Sequence, residues 1–383
     1  MIEYKDITKP KFFICLIILL GSCSISDKDR KVESTSEDYQ NTLKEEPYAY
    51  EGEPLRVGVI GLVHDHVGWI LGREKIGDIE VVGIVEPNRE LANRYCERFN
   101  YPIGMVYNTM EEMIKAVQPE AVTVFNMIYD HLKVVGYCAP RGIHVMVEKP
   151  LAANLEQAQK MITLANQLNI HLITNYETPW YGSNREAYNI VNEKKIGDLR
   201  RIIFRTGHQG PIEIGSSPEF VEWLTDPVLN GVGALTYFGC YGANLATWLM
   251  KGETPETVSC ITQQIKPDLY PKVEDEATII LTYPKAQVII QASWNWSYGR
   301  KDMVLMENEG KSAIPIMAEP LPNGIQDPFA YLTKVIKENY IVEPFSPSSL
   351  ENNKVVMQIL YAAMYAQKTG STVVWDEYFK QGT

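Results

Sequence analysis

From Leu55 to Thr174 short apolar runs alternate with amphipathic ones, and no other feature of the chain limits its fold so strongly. Strands are expected at Leu55 to Ile60, at Ile79 to Val85, near Met105, at Ala121 to Phe125, just before Glu148 and at His171 to Thr174. Helical patterns fill the intervals: His66 to about Lys75, Arg89 to Asn100, a segment from Thr109, His131 to Arg141 and a segment after Asn154. Such alternation builds a parallel, doubly wound sheet, so residues 55–178 are expected to form an α/β domain.

Open sheets of this kind bind ligands beyond the carboxyl ends of their strands. The run Val145-Met146-Val147-Glu148-Lys149-Pro150-Leu151 ends a buried strand at that edge. Pro150 has no N–H for a ladder and holds Lys149 in an extended or turn conformation. Glu148 and Lys149 are thereby set where an ammonium can meet a substrate oxygen. A solvated lysine between a strand and a helix has the same local pattern.

Gly58-Val59-Ile60-Gly61-Leu62-Val63-His64-Asp65-His66 follows the first strand, where a dinucleotide-binding turn belongs. It is a degenerate copy. Gly61 supplies the tight turn, but Val63 occupies the glycine position at which backbone approaches a pyrophosphate, and His66 replaces the last small residue. Gly61, Leu62, Val63 and His66 are the candidate cofactor contacts here. Glu86 closes the second strand, where a carboxylate takes a ribose diol and repels a 2′-phosphate. That favours NAD over NADP, although Asn88 and Arg89 keep NADP open. His64 and His66 lie in a turn with no third ligand in obvious reach, so no metal site is expected.

The amino terminus carries a different signal. Lys5, Lys9 and Lys11 precede the apolar run Phe12 to Leu20, about the length of a signal-peptide core. Leu20-Gly21-Ser22-Cys23 resembles a bacterial lipobox, in which the cysteine is lipidated and becomes the first residue. Residues 1–23 are read as a lipoprotein signal and 24–54, polar and poor in aliphatics, as a disordered tether. The chain's 383 residues and 45% hydrophobic content leave room for two cored domains. Its net charge of −12 argues against a nucleic-acid partner. Cys96, Cys138, Cys240 and Cys260 sit at no metal or disulfide spacing and are expected to be buried free thiols.

The run Gly142-Ile143-His144-Val145-Met146-Val147-Glu148-Lys149-Pro150-Leu151 strongly resembles the glucose–fructose oxidoreductase / inositol dehydrogenase (Gfo/Idh/MocA) family. Ala121 to Asn126, His131, Asn175-Tyr176, Glu274-Asp275-Glu276-Ala277 and Ala292-Ser293-Trp294 fall in that family's order. The resemblance implies a Rossmann domain that holds NAD, with Asn126, His131, Glu148 and Lys149 as further cofactor contacts. It also implies a second α+β domain over residues 179–383, with an open, mostly antiparallel sheet, and often a subunit interface on one sheet face.

The resemblance places the catalytic partner of Lys149 on the helix from Gly233 to Asn244. There the common family pattern has Asp, His and Asp, and this chain has Tyr237, Tyr241 and Asn244. The three share a helical face. Tyr241 is the candidate proton donor or acceptor, its pKa expected to fall beside the lysine ammonium; an aromatic stripe that merely packs a helix has the same pattern. Tyr176, His208, Tyr237, Asn244 and Trp294 are candidate substrate contacts.

The expected protein is a lipid-anchored oxidoreductase of the cell envelope, periplasmic or surface-facing. It acts on a small carbohydrate or polyol, touches the membrane only through its anchor, and forms a homo-oligomer. Outside the cytoplasm no free nicotinamide pool exists, so a tightly held cofactor is expected. Two rivals share these features: a glycoside hydrolase or lyase working by transient oxidation and elimination, and a non-catalytic sugar-binding lipoprotein on the same scaffold.

Overall fold

Six strands pair in parallel in the order β3-β2-β1-β4-β5-β6. They are β1 (Leu55–Ile60), β2 (Ile79–Val85), β3 (Val106–Tyr107), β4 (Ala121–Val124), β5 (His144–Glu148) and β6 (Leu172–Asn175). The computed structural model describes residues 49–195, 197–308, 312–313 and 321–380; the proposed lipidation site, Cys23, lies outside them. The strand order reverses between β1 and β4, so their carboxyl ends open the crevice in which such sheets hold ligands.

Both faces of this sheet are covered, which is why its strands read as continuous apolar runs. Leu55, Val57, Val59, Ala121, Met146 and Ile173 point to one face. There they meet Leu91, Ala92 and Tyr95 of the helix Arg89–Phe99. The same face is closed by Phe329, Leu332 and Val335 from the helix Pro328–Lys337, far along the chain. The other face packs on Met110–Val117, His131–Cys138 and Leu155–Leu168. These helices start where capping side chains allow. Asn88, Thr109 and Asn154 each accept a backbone N–H of the first turn, supplying partners that helix geometry leaves missing.

The second sheet has the order β12-β11-β7-β10-β9-β8-β13. Its strands are β7 (Leu199–Gly207), β8 (Thr257–Gln263), β9 (Glu276–Thr282), β10 (Gln287–Ser293), β11 (Arg300–Glu307), β12 (Ser312–Ala313) and β13 (Val373–Val374). All its pairs are antiparallel except β7 with β10. This is the α+β sheet expected from sequence. One face packs on the helix Ala234–Leu249, whose residues are all buried, and that helix packs in turn on Leu350–Thr369. The opposite face carries half-buried Ile203, Ile280, Ile289 and Val304, and Ile261 at 69% exposure.

Glu274 fixes the start of the central helix. Its carbonyl accepts Ala234 N–H at 3.0 Å and its carboxylate accepts Leu235 N–H at 2.9 Å. A Cβ on Gly233 would stand 1.9 Å from Glu274 O, so only glycine permits this approach.

Two expectations need correction. The tether does not run loose to residue 54, because Tyr50 N–H donates to Ile76 O at 2.8 Å. Cys96, Cys138 and Cys240 are buried free thiols, but Cys260 is only half-buried. Its strand, β8, lies next to the sheet edge, with only two-residue β13 outside it. Among the described residues no helix is long and apolar enough to cross a membrane.

Candidate active site

The crevice at the strand reversal opens into a cleft of about 280 Å³ lined by Ile60, Gly61, Val63, Glu86, Asn126 and Lys133 among others. Gly61 sits at φ +82°, and a Cβ there would lie 2.7 Å from Asn126 N, so the β1 and β4 loops meet only across a glycine. Glu86 is 4% exposed at the end of β2. Its carboxylate accepts Leu62 N–H at 3.1 Å and Asn88 N–H at 2.9 Å, which pins the turn and aims the acid into the cleft wall. Burial pushes its pKa up, and the two amides oppose that shift. Among the described residues Asn126 Oδ1 is buried without a partner. A rigid glycine turn, a strand-end carboxylate and an orphan amide oxygen are the groups that fit a dinucleotide.

The turn is also latched from outside. Asp65 accepts Ser217 N–H and Oγ–H at 3.2 and 2.6 Å, and Trp223 Nε1 donates to Val63 O at 3.2 Å. Arg94 and Glu219 pair at 2.7 Å alongside. The helix Pro218–Leu224 therefore lies over residues 63–65, with Phe220 and Trp223 against the His64 ring.

β5 ends in the chemical centre. Glu148 and Lys149 are each 1% exposed, and the Lys149–Pro150 bond is cis. Glu148 accepts Asn175 Nδ2 at 2.6 Å and contacts His66 Nδ1 at 3.0 Å, while His64 Nε2 stands 3.7 Å away. His66 N–H donates to His64 Nδ1 at 3.2 Å, so His64 carries its proton on Nε2. Burial depresses both imidazoles and raises Glu148. Glu148 is the third ligand that sequence spacing left out of reach: three possible ligand atoms of His64, His66 and Glu148 lie within 4.8 Å of one another. Asn175 and His66 already satisfy the carboxylate without an ion.

Lys149 Nζ donates to Tyr237 O at 3.2 Å. It lies 3.4 Å from the Tyr237 ring centroid and 5.0 Å from that of Tyr241. Burial, the largest effect, pushes its pKa down to about 8. The tyrosines move the other way. Tyr241 is raised well above its ordinary value by burial, then by nearby acids, which overturns the expectation that the lysine would lower it. Tyr237 is raised as well, with burial again the first cause. Desolvation outweighs the ammonium because both rings are sealed from water.

The remaining candidates divide. His208 lies at the rim with its ring 6.4 Å from Tyr237; its Nδ1 accepts Gly210 N–H, and burial pushes its pKa to about 4. Tyr176 packs edge-on against Tyr241 at 5.7 Å and sends its hydroxyl to Asn353. His131 donates Nδ1–H to Leu151 O at 3.0 Å and leaves Nε2 buried without a partner among the described residues; burial pushes its pKa to about 4. Trp294 is fully buried against Tyr270, with its ring 6.1 Å from Tyr237. Asn244 is turned away from the centre: it bonds Pro347 O and Asn352 Oδ1 and ties two helices together.

Sequence reasoning missed Lys301 and Glu177. They form an ion pair beside the centre, with Lys301 Nζ 5.2 Å from the Tyr241 ring centroid and Tyr181 OH also donating to Glu177. Position offered one clue, since Glu177 follows Tyr176 and Lys301 is the second residue of β11.

A parallel dinucleotide sheet with a buried lysine at a strand end defines a nicotinamide-dependent oxidoreductase scaffold. Residues 55–176 match the Gfo/Idh/MocA oxidoreductase family's NAD-binding Rossmann fold, and residues 184–311 match its C-terminal domain. The chain belongs to the Gfo/Idh/MocA family. It is 30% identical over 218 residues to a trans-1,2-dihydrobenzene-1,2-diol dehydrogenase of Xenopus tropicalis, covering 56% of this chain and 61% of that protein. The chain thus spans about half to three fifths of the curated relatives it matches first. The crystal structure of GenD2 from gentamicin A biosynthesis, in complex with NAD, shares the fold at a TM-score of 0.71 and 17% identity, over 85% of this chain and 97% of that one. An aldose-aldose oxidoreductase from Caulobacter crescentus, complexed with glycerol, does so at 0.67 and 20%, over 84% and 99%.

Proposed function

We propose that this chain oxidises a carbinol carbon of a carbohydrate or polyol to the carbonyl, or reduces that carbonyl in reverse, using NAD in preference to NADP. The observation that carries this reading is Lys149: a nearly sealed amine with a pKa of about 8, at the end of a parallel strand beside a dinucleotide cleft. When bound, a nicotinamide supplies the hydride acceptor or donor. Lys149 holds the reacting oxygen and exchanges its proton, since burial brings its pKa down to about 8. Tyr241 stays protonated and donates a hydrogen bond to the same oxygen. Glu148, held by Asn175 and His66, keeps the lysine's neighbourhood anionic enough to retain a proton when needed. Glu86 takes a ribose diol, Asn126 presents its free Oδ1 to the cofactor, and Val63 and Leu62 form the turn beneath it.

The cofactor stays on the protein between turnovers. The latch of Asp65 on Ser217 and of Val63 on Trp223 supports this, because it covers the turn that a dinucleotide must pass. The mature protein begins at lipidated Cys23 and is anchored in the cell envelope, as the basic start and Leu20-Gly21-Ser22-Cys23 suggest. It pairs with a second copy through the apolar open face of the second sheet around Ile203, Ile280 and Ile289.

The deciding experiment is mass spectrometry of small molecules released from purified protein, followed by single-turnover hydride transfer to a panel of sugars. Bound NAD(H) and a sugar that bleaches or generates its absorbance are expected. Protein without nicotinamide, and inert when NAD is added, overturns the reading.

A further inference from the structure

A second cleft of about 250 Å³ adjoins the centre, with Trp69, Arg73, Glu177, Trp180, Tyr181 and Asp327 in its wall. Its inner end touches the site on two sides. Trp69 stacks on His66 at 3.6 Å and 16°, and His66 is the partner of Glu148. Glu177 holds Lys301, which faces the Tyr241 ring. Two residues of the cleft wall, Trp69 and Glu177, thus pack directly against residues of the centre.

The chemistry of the wall selects its occupant. Trp69 and Trp180 are both half-buried, so each keeps aromatic surface free for an apolar ring face. The charges cancel in pairs: Arg73 with Asp327 at 2.8 Å, and Lys301 with Glu177. A charged ligand would gain no unpaired counter-ion. The two carboxylates nonetheless keep 31% and 24% of their side chains exposed, as acceptors for hydroxyl donors. Aromatic walls with paired, partly exposed carboxylates suit a neutral ring that has an apolar face and a hydroxylated edge. A plain aryl group has the face but lacks the donors.

We infer that this cleft is a second sugar subsite, so that the substrate is a glycoside whose neighbouring ring lies against Trp69 and Trp180 while the reacting ring meets Lys149. The inference rests on the carbohydrate reading above. Its test uses the full chain with NAD. Rates with glucose and galactose are compared with those for cellobiose, maltose, lactose and phenyl β-glucoside, in wild type and Trp180→Leu. At least one disaccharide should exceed its monosaccharide about tenfold in kcat/KM, and Trp180→Leu should lose that advantage while monosaccharide rates hold within about twofold. Equal wild-type rates for every disaccharide and monosaccharide, equal loss for both in the variant, or a preference for phenyl glucoside overturns it. If no sugar is oxidised, the functional reading fails separately. Calorimetric titration of the same disaccharides then decides the subsite: it stands if binding weakens about tenfold in Trp180→Leu and falls if wild type does not bind or the variant binds as well.

Discussion

Lys149 Nζ is bonded to the backbone carbonyl of Tyr237, at 3.2 Å, and covered by the ring of the same residue, at 3.4 Å from its centroid. One residue thus supplies both a polar partner and an aromatic cover for the amine, while burial, the largest effect, pushes the lysine's pKa down to about 8. Replacing the hydroxyl changes neither contact. Tyr237→Phe should leave turnover within about threefold of wild type and the rise in rate with pH unmoved. A hundredfold loss, read in steady-state kinetics, would give the Tyr237 hydroxyl a chemical role.

Lys149→Met should cost at least about a hundredfold in turnover with cofactor still bound. The sign of its effect on stability is opposite. A lysine whose folded pKa is lowered binds protons more weakly than in the unfolded chain, so its charge opposes folding below pH 8. That opposition fades as pH rises from about 8 towards the ordinary value of 10.5. Lys149→Met should therefore melt at or above the wild-type temperature at pH 7, and the wild-type oxidation rate should rise through an apparent pKa near 8. A lower melting temperature for the variant would show that the amine is stabilising.

Tyr241→Phe should also lose about a hundredfold, and the double variant with Lys149→Met should be little worse than the poorer single one, since both act on one oxygen. Single-turnover hydride transfer is the measurement. Multiplying losses would mean that the two act independently.

Glu86→Ala should weaken NAD more than NADP, as the removed carboxylate attracts a diol and repels a 2′-phosphate. Asp65→Ala frees Ser217 and should raise the cofactor's dissociation rate about tenfold, with less nicotinamide surviving purification. Stopped-flow release after dilution checks both; equal losses for the two nucleotides would contradict the first expectation, and unchanged retention the second.

His131 is buried with a folded pKa of about 4 against an ordinary 6.5. The unfolded chain then binds more protons between those values, so stability drops as pH falls from 6.5 to 4. This residue alone accounts for about 3 kcal/mol of that loss. His131→Gln should flatten the decline in melting temperature across this window; an unchanged slope would assign the acid sensitivity elsewhere.

What could be read from sequence followed chain locality. Strand ends, the helix starts at Arg89, near Thr109 and after Asn154, and the placement of Glu148 and Lys149 depend on neighbours within a few residues. The helix Ala234–Leu249 lost that legibility because it is buried on every side, so no polar stripe tells which face sees the site. Tyr237 and Tyr241 meet Lys149, while Asn244 on the nominally same face ties the helix to Leu350–Thr369. The pairing of Glu177 with Lys301 joins the end of the first sheet to the second and leaves no local pattern. The sign of Tyr241's shift was missed for the same reason: burial is a property of the assembled fold.

The helix Pro328–Lys337 closes a sheet whose last strand ended at Asn175. A chain that leaves the ribosome, or crosses a membrane, amino end first therefore makes all six strands long before Phe329, Leu332 and Val335 arrive to cover one face. The nucleotide-binding half is not a free-standing module. Cut out at its own last strand, it would keep the helix Arg89–Phe99 on that face but leave the part under Phe329, Leu332 and Val335 uncovered and prone to associate, so any exchange of second domains between relatives must bring this distant helix along.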